Sequence, residues 1–307
     1  MKTATASASD ETDAAGIDGF PVGSIDGRPT MSIQHAIEHP AGTGTRRGPL
    51  AVALHAVREQ PLVAFFVLAY ALSWWPSLVY LTTGSGAPIL GCGPFLAAIT
   101  VLALTTGKHG LKALFKSMLK WRVGLRWWMV AILAPVLMTS LAAGLNIALG
   151  APAPSTADLA NWPSIFSTAL VILLVPIAGG AWEEPGWRGY ALPRLLTGRS
   201  ALEASLVLGA LWALWHVPLF LTGKQHWSDL LLVLLVSVFV TWLFQNALYS
   251  VLVTMVFHSV NNAFSGGYVS PMFHGSASVR QSWMLVVVWA AAGVLVALLA
   301  RNFRRAK

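Results

Sequence analysis

Residues 171–196 read VILLVPIAGGAWEEPGWRGYALPRLL, an apolar run that carries two adjacent carboxylates, Glu183 and Glu184, and then Arg188. A charged side chain at mid-bilayer costs about 2.5–3.5 kcal/mol on insertion scales. Adjacent glutamates inside an apolar segment therefore point to a purpose. Arg188 lies four residues after Glu184, one helical turn away on the same face, so Glu184–Arg188 reads as an i,i+4 ion pair. Glu183 is turned by about 100° and is left free to face a cavity. Pro185 removes a helical donor next to the pair and predicts a kink, which is tolerable in a membrane only beside protein or a wet cavity.

The rest of the chain explains why this run is read as membrane-embedded. Of 307 residues, 56% are apolar and 10% charged, against about 25% charged in a soluble domain. Fourteen tryptophans suit rings at two membrane interfaces. Residues 1–60 are rich in Ser, Thr, Ala, Gly and Asp, lack a signal-peptide core, and read as a disordered cytoplasmic tail. The stretch His55–Glu59 reads as an interfacial lead-in. From residue 61 the apolar runs approach the ~20 residues that span a bilayer. They fall at 61–83, 88–106, 127–149, 164–196, 201–222, 229–245, 247–264 and 282–300, giving an all-α bundle of eight transmembrane helices over 61–307.

Net charge is +8, yet the basic residues sit in short gaps between apolar runs, which excludes nucleic acid as the partner and makes the lipid bilayer the partner instead. Eighteen of 20 Lys and Arg fall on one side of the eight-span topology, and only Lys224 and Arg280 on the other. Both termini are then expected in the cytoplasm. Lys108, Lys112, Lys116 and Lys120 recur at helical spacing, with Leu111, Leu114, Phe115 and Met118 between them, as in a basic amphipathic helix on the membrane surface. The single cysteine, Cys92, permits no internal disulfide.

Beyond residue 60 the carboxylates are Asp158, Glu183, Glu184, Glu203 and Asp229, and of these only the central pair lies deep in a span. His216 (in WALWH, with Trp212 one turn before) and His258 (in HSVNN, with Asn262 one turn after) are the histidines within apolar runs. At 1.5 Å per residue, His216 and His258 lie about 22 and 16 Å from the cytoplasmic ends of their spans. Glu183 matches them, at about 20 Å, only if the fourth span runs past Glu184 to about Leu196.

At this point the residues resemble the CAAX-protease and bacteriocin-processing (CPBP, or Abi) intramembrane peptidases. EEPGWRGYALPRL is similar to that family's EExxxR motif, WALWH to FxxxH with Trp212 in the aromatic place, and HSVNN to HxxxN through His258 and Asn262. The likeness covers about 160–265. It implies a membrane cavity open to the cytoplasm and endopeptidase cleavage of a membrane-associated peptide or protein. By the same resemblance, Glu183 and His216 activate water, and His258 and Asn262 stabilise the oxyanion. Glu184, Arg188 and Trp212 support them. Peptide hydrolysis needs a general base and donors at the oxyanion, which this set supplies with no cofactor. Two alternatives stay open. Glu183, His216 and His258 are also a possible His₂Glu zinc site, although no HExxH motif is present. Buried Glu, His and Arg also build proton or transport paths, and some family members act in immunity or as scaffolds.

Overall fold

The computed structural model describes residues 48–300; the tail reading for 1–47 and the basic residues at 301–307 lie outside the described residues. Described residues form helices and turns, with no strand among them. Pro49–Glu59 (α1) is a helix with no buried residue, occupying the stretch read as tail and lead-in. Then come Pro61–Thr83 (α2), Gly93–Thr105 (α3), the basic amphipathic Gly107–Met118 (α4) and Leu125–Ala148 (α5). The short Thr156–Ala160 (α6) precedes Ser164–Leu174 (α7). Glu184–Gly186 (α8) and Leu192–Leu195 (α9) follow, then Ala201–Trp215 (α10), Val217–Leu221 (α11), Asp229–Asn246 (α12), Val251–Asn261 (α13) and Ser276–Leu299 (α14).

Among the described residues, α2, α5, α12 and α14 are long and apolar enough to cross a membrane. They coincide with the expected spans at 61–83, 127–149, 229–245 and 282–300. The other four expected spans are shorter or interrupted, each for a local reason. The run at 88–106 begins only at Gly93, because residues 84–92 form a turn in which Ser77 donates from its hydroxyl to the Pro88 carbonyl. The run at 201–222 pauses at His216 and restarts with Pro218 in the first turn of α11, where proline's missing N–H breaks no bond. The run at 247–264 starts at Val251, after a turn in which Leu248 and Tyr249 take positive φ. It passes into a π-helical stretch, Asn262–Val269.

The run at 164–196 departs most. α7 ends at Leu174, and Gly179 and Gly180 adopt φ of 94° and 46°. Helical turns then resume and continue past Glu184. A 3-10 turn, Gly180–Glu183, leads into α8, a π turn at Trp187–Ala191, and α9. The continuation to about Leu196 is thus present, but the span is two pieces around a break. Pro185 sits in the first turn of α8, which explains how the chain accepts it.

Hydrogen bonds tie the helices at two ends. At one end Tyr190 Oη donates to the Pro61 carbonyl (3.0 Å), Arg58 Nε to Leu104 (3.3 Å) and Lys120 Nζ to Leu248 (2.6 Å). At the other, Asn146 Nδ2 donates to the Ala277 carbonyl (3.0 Å), Arg280 Nε to Asn146 Oδ1 (2.8 Å) and Tyr268 Oη to the Leu159 carbonyl (3.0 Å). The core between them buries Phe65, Trp187, Tyr190, Trp215 and Trp289. Two of the five carboxylates are spent on helix starts. Asp158 closes a capping box with Ser155, and Glu203 closes one with Ser200.

Candidate active site

Glu183, at the end of the 3-10 turn, is 5% exposed and lines a cavity of about 610 Å³ with Trp212, His216, His258 and Asn262. Its Oε2 accepts a hydrogen bond from Trp212 Nε1 (2.8 Å) and a longer one from Trp187 Nε1 (3.4 Å). Glu184 does not line that cavity. Its Oε1 accepts from Arg188 Nη1 at 2.9 Å and pairs with His258 Nδ1 at 2.8 Å, all three groups being buried. The two adjacent carboxylates are thus divided. One is held by a cation and an imidazole behind the wall, and the other faces the cavity on neutral indole donors.

The tautomers follow from the partners. His216 Nδ1 lies 2.8 Å from the Trp212 carbonyl oxygen. A carbonyl can only accept, so Nδ1 carries the proton and Nε2 keeps a lone pair in the neutral ring. His258 Nδ1 faces a carboxylate, so it too is the donor, and its Nε2 donates as well only in the imidazolium. The Glu184 carboxylate is placed to meet that charge.

Trp212 joins these groups. Arg188 Cζ stands 4.3 Å from its ring centroid, and its ring meets those of His216 and His258 edge-on, both at 5.6 Å. Trp215 flanks His216 at 4.9 Å. Asn262 is half-buried at the start of the π stretch, and Asn261 Nδ2 approaches its Oδ1 at 3.4 Å, which leaves the Asn262 amide hydrogens for another acceptor. Gly180 makes room for this side of the site. A Cβ there would lie 2.6 Å from Asn262 Nδ2 and 3.2 Å from His258 Cδ2.

All seven residues singled out in the sequence come together here. Trp187 and Gly180 were not anticipated. Trp187 was within reach of sequence reasoning, because it follows Glu183 by the same four residues that link Glu184 to Arg188. Among the described residues no three His, Cys, Asp or Glu side chains are disposed to hold a metal, and Glu183 Oε2 is already occupied by indole donors.

The cavity lining also includes Ala87, Lys224, Gly266 and Ser278, which lie in connections, the π stretch and the start of α14, at the end of the bundle away from the basic helix α4.

Residues 162–264 match the family model described as type II CAAX prenyl endopeptidase Rce1-like. The chain is also similar to the CAAX prenyl protease 2 of Methanococcus maripaludis, with 31% identity over 110 residues, 32% of this chain and 41% of that protein. The aligned part thus spans less than half of the length of that curated relative. The two matches support the CAAX-protease (CPBP) family for this region, and with the apolar helices they support an integral membrane protein.

Proposed function

We propose, from the family match over 162–264 and the division of the two glutamates, that this chain is an intramembrane endopeptidase with eight membrane crossings and its basic end in the cytoplasm. Four crossings are the long helices, and the others are α3, α7 with the turns after its break, α10 with α11, and α13 with its π extension. Eighteen basic residues on one side support the orientation.

In this reading Glu183 and His216 Nε2 take a proton from water as it attacks the scissile carbonyl, and return one to the leaving amine. The oxyanion accepts from Asn262 Nδ2 and from His258 Nε2, whose positive charge the buried Glu184 carboxylate balances. Glu184 is itself held by Arg188, so His258 is fixed in orientation through two members of the cluster. Trp212 positions the base, and its carbonyl sets the His216 tautomer. The substrate class is a membrane-associated peptide or protein.

The observation that carries the proposal is a buried carboxylate on a cavity wall, oriented by two indole N–H groups, with its neighbour withdrawn into an ion cluster. A positioned general base contributes roughly 10²–10⁴-fold. Glu183→Gln and His216→Ala are each expected to lower peptide cleavage by about that much and to abolish the cellular phenotype. A phenotype that survives both substitutions removes the peptidase reading in favour of a non-catalytic role.

A further inference from the structure

The catalytic groups proposed above stand on the Gly180–Glu183 turn, at the end of α10, on α13 and at the start of the π stretch. The same cavity has a second wall that carries none of them. α14 lines it with Ser278, Gln281, Ser282 and Leu285, which share one helical face. α12 lines it with Asp229, Leu232 and Val236, also from one face. On both helices the polar residues come first, and apolar residues follow within two turns.

The polar groups of this wall differ in how they are satisfied. His226 Nε2 lies 3.1 Å from Ser278 Oγ, and the Asp229 backbone N–H donates to the His226 carbonyl (2.9 Å). Gln281 is 3% exposed, and neither its Nε2 nor its Oε1 has a hydrogen-bond partner among the described residues. Gln225 Oε1, in the same lining, is unpaired there too. A buried amide left unpaired is costly, and such groups are uncommon in native proteins. Packing alone does not account for Gln281, because leucine fills a similar volume without that cost.

The chemistry of the side chain defines what it would bind. A primary amide carries a donor and an acceptor side by side, the complement of the C=O and N–H of a peptide main chain. It is uncharged, so it favours neither acidic nor basic side chains. We propose that Gln281 is a substrate-binding residue, whose carboxamide pairs with a main-chain peptide unit of the substrate away from the scissile bond. This deepens the peptidase reading of the site and rests on it. Glu183 and His216 act on the bond to be cleaved, and Gln281 holds the chain that carries it.

The variant Gln281→Leu separates binding from structure, since it keeps the volume and removes both unpaired atoms. With a mixed-sequence pool of internally quenched peptides, KM is expected to rise about tenfold or more. An interaction made equally in the ground and transition states acts on KM, so kcat is expected to change little. The unfolding temperature is expected to hold or rise, because an unpaired amide leaves the interior. A lower unfolding temperature marks Gln281 as structural and overturns the proposal, as does an unchanged KM. Binding is read separately in a Glu183→Gln background. The full-length protein in detergent is titrated into a fluorescein-labelled pool of short random peptides and followed by anisotropy. Adding Gln281→Leu is expected to weaken binding by the same factor as KM. Equal binding with and without Gln281, or no binding at all, overturns the proposal. Binding that depends on Gln281, without cleavage by the unsubstituted protein, counts against the peptidase reading alone.

Discussion

Trp212 serves the site through three parts of one residue. Its indole N–H donates to Glu183, its carbonyl fixes His216, and its ring lies under Arg188. The substitution Trp212→Phe separates these functions, keeping the carbonyl and most of the ring while removing the N–H. A hydrogen bond to a charged group is worth about 1.5–3 kcal/mol, or roughly 10–100-fold in rate. The expected result is a fall of that size in kcat with KM nearly unchanged, measured on a quenched peptide substrate. Unchanged kcat would show that the indole donor does not orient the base. The resemblance at WALWH marked this position as aromatic, and phenylalanine is usual there. Only the three-dimensional arrangement shows what the extra N–H supplies.

At the scale of elements, the break between α7 and the Gly180–Glu183 turn sets the site. A straight helix through 164–196 carries its side chains at fixed angles. The positive φ values at Gly179 and Gly180 reset that register just upstream of Glu183. Gly180→Ala combines two costs. A non-glycine residue in left-handed backbone costs roughly 1–2 kcal/mol, and its Cβ would press on Asn262 and His258. The variant is expected to lose at least about tenfold in cleavage and to unfold at a lower temperature. Gly144→Ala in α5, where a Cβ meets nothing within 4 Å, is expected to change neither.

The break was hard to read in advance because hydropathy averages over a window and is insensitive to backbone dihedrals. Pro176, Gly179 and Gly180 were visible in the opening run, yet nothing in their apolarity required the helix to stop. The same averaging hides the short α3, α10 and α13, whose apolar flanks continue as turns or π stretches. Motif spacing, by contrast, survived folding. Residues one turn apart still meet when the turn is α or π, as Glu184 and Arg188 do at 2.9 Å.

At the scale of the molecule, the donor geometry leads to a result for metal removal. Because no three ligating side chains among the described residues converge on one point, dialysis against a chelator is expected to leave cleavage unchanged. Loss of activity restored by stoichiometric zinc would return the His₂Glu reading. Charge was the global property most legible in the sequence, since its asymmetry along the chain requires no knowledge of packing. Which segments close around the cavity was not legible. It depends on how the connections at 84–92 and 222–228, the π stretch and the start of α14 assemble, and those segments meet only in the folded bundle.

The buried cluster of Arg188, Glu184 and His258 also constrains how the protein is made. Glu184 leaves the ribosome 74 residues ahead of His258, its partner across the bundle. Until α13 is synthesised, the segment from Gly180 to Leu195 offers lipid four charged side chains, Glu183, Glu184, Arg188 and Arg194, with only part of their pairing, and each such group is costly in hydrocarbon. That segment is therefore expected to stay at the translocon or the membrane interface while α10 and α12 emerge, and to enter the bilayer together with α13. A nascent chain arrested before residue 251 is expected to keep this segment accessible to protease, and protection of the segment in such a chain would show earlier insertion.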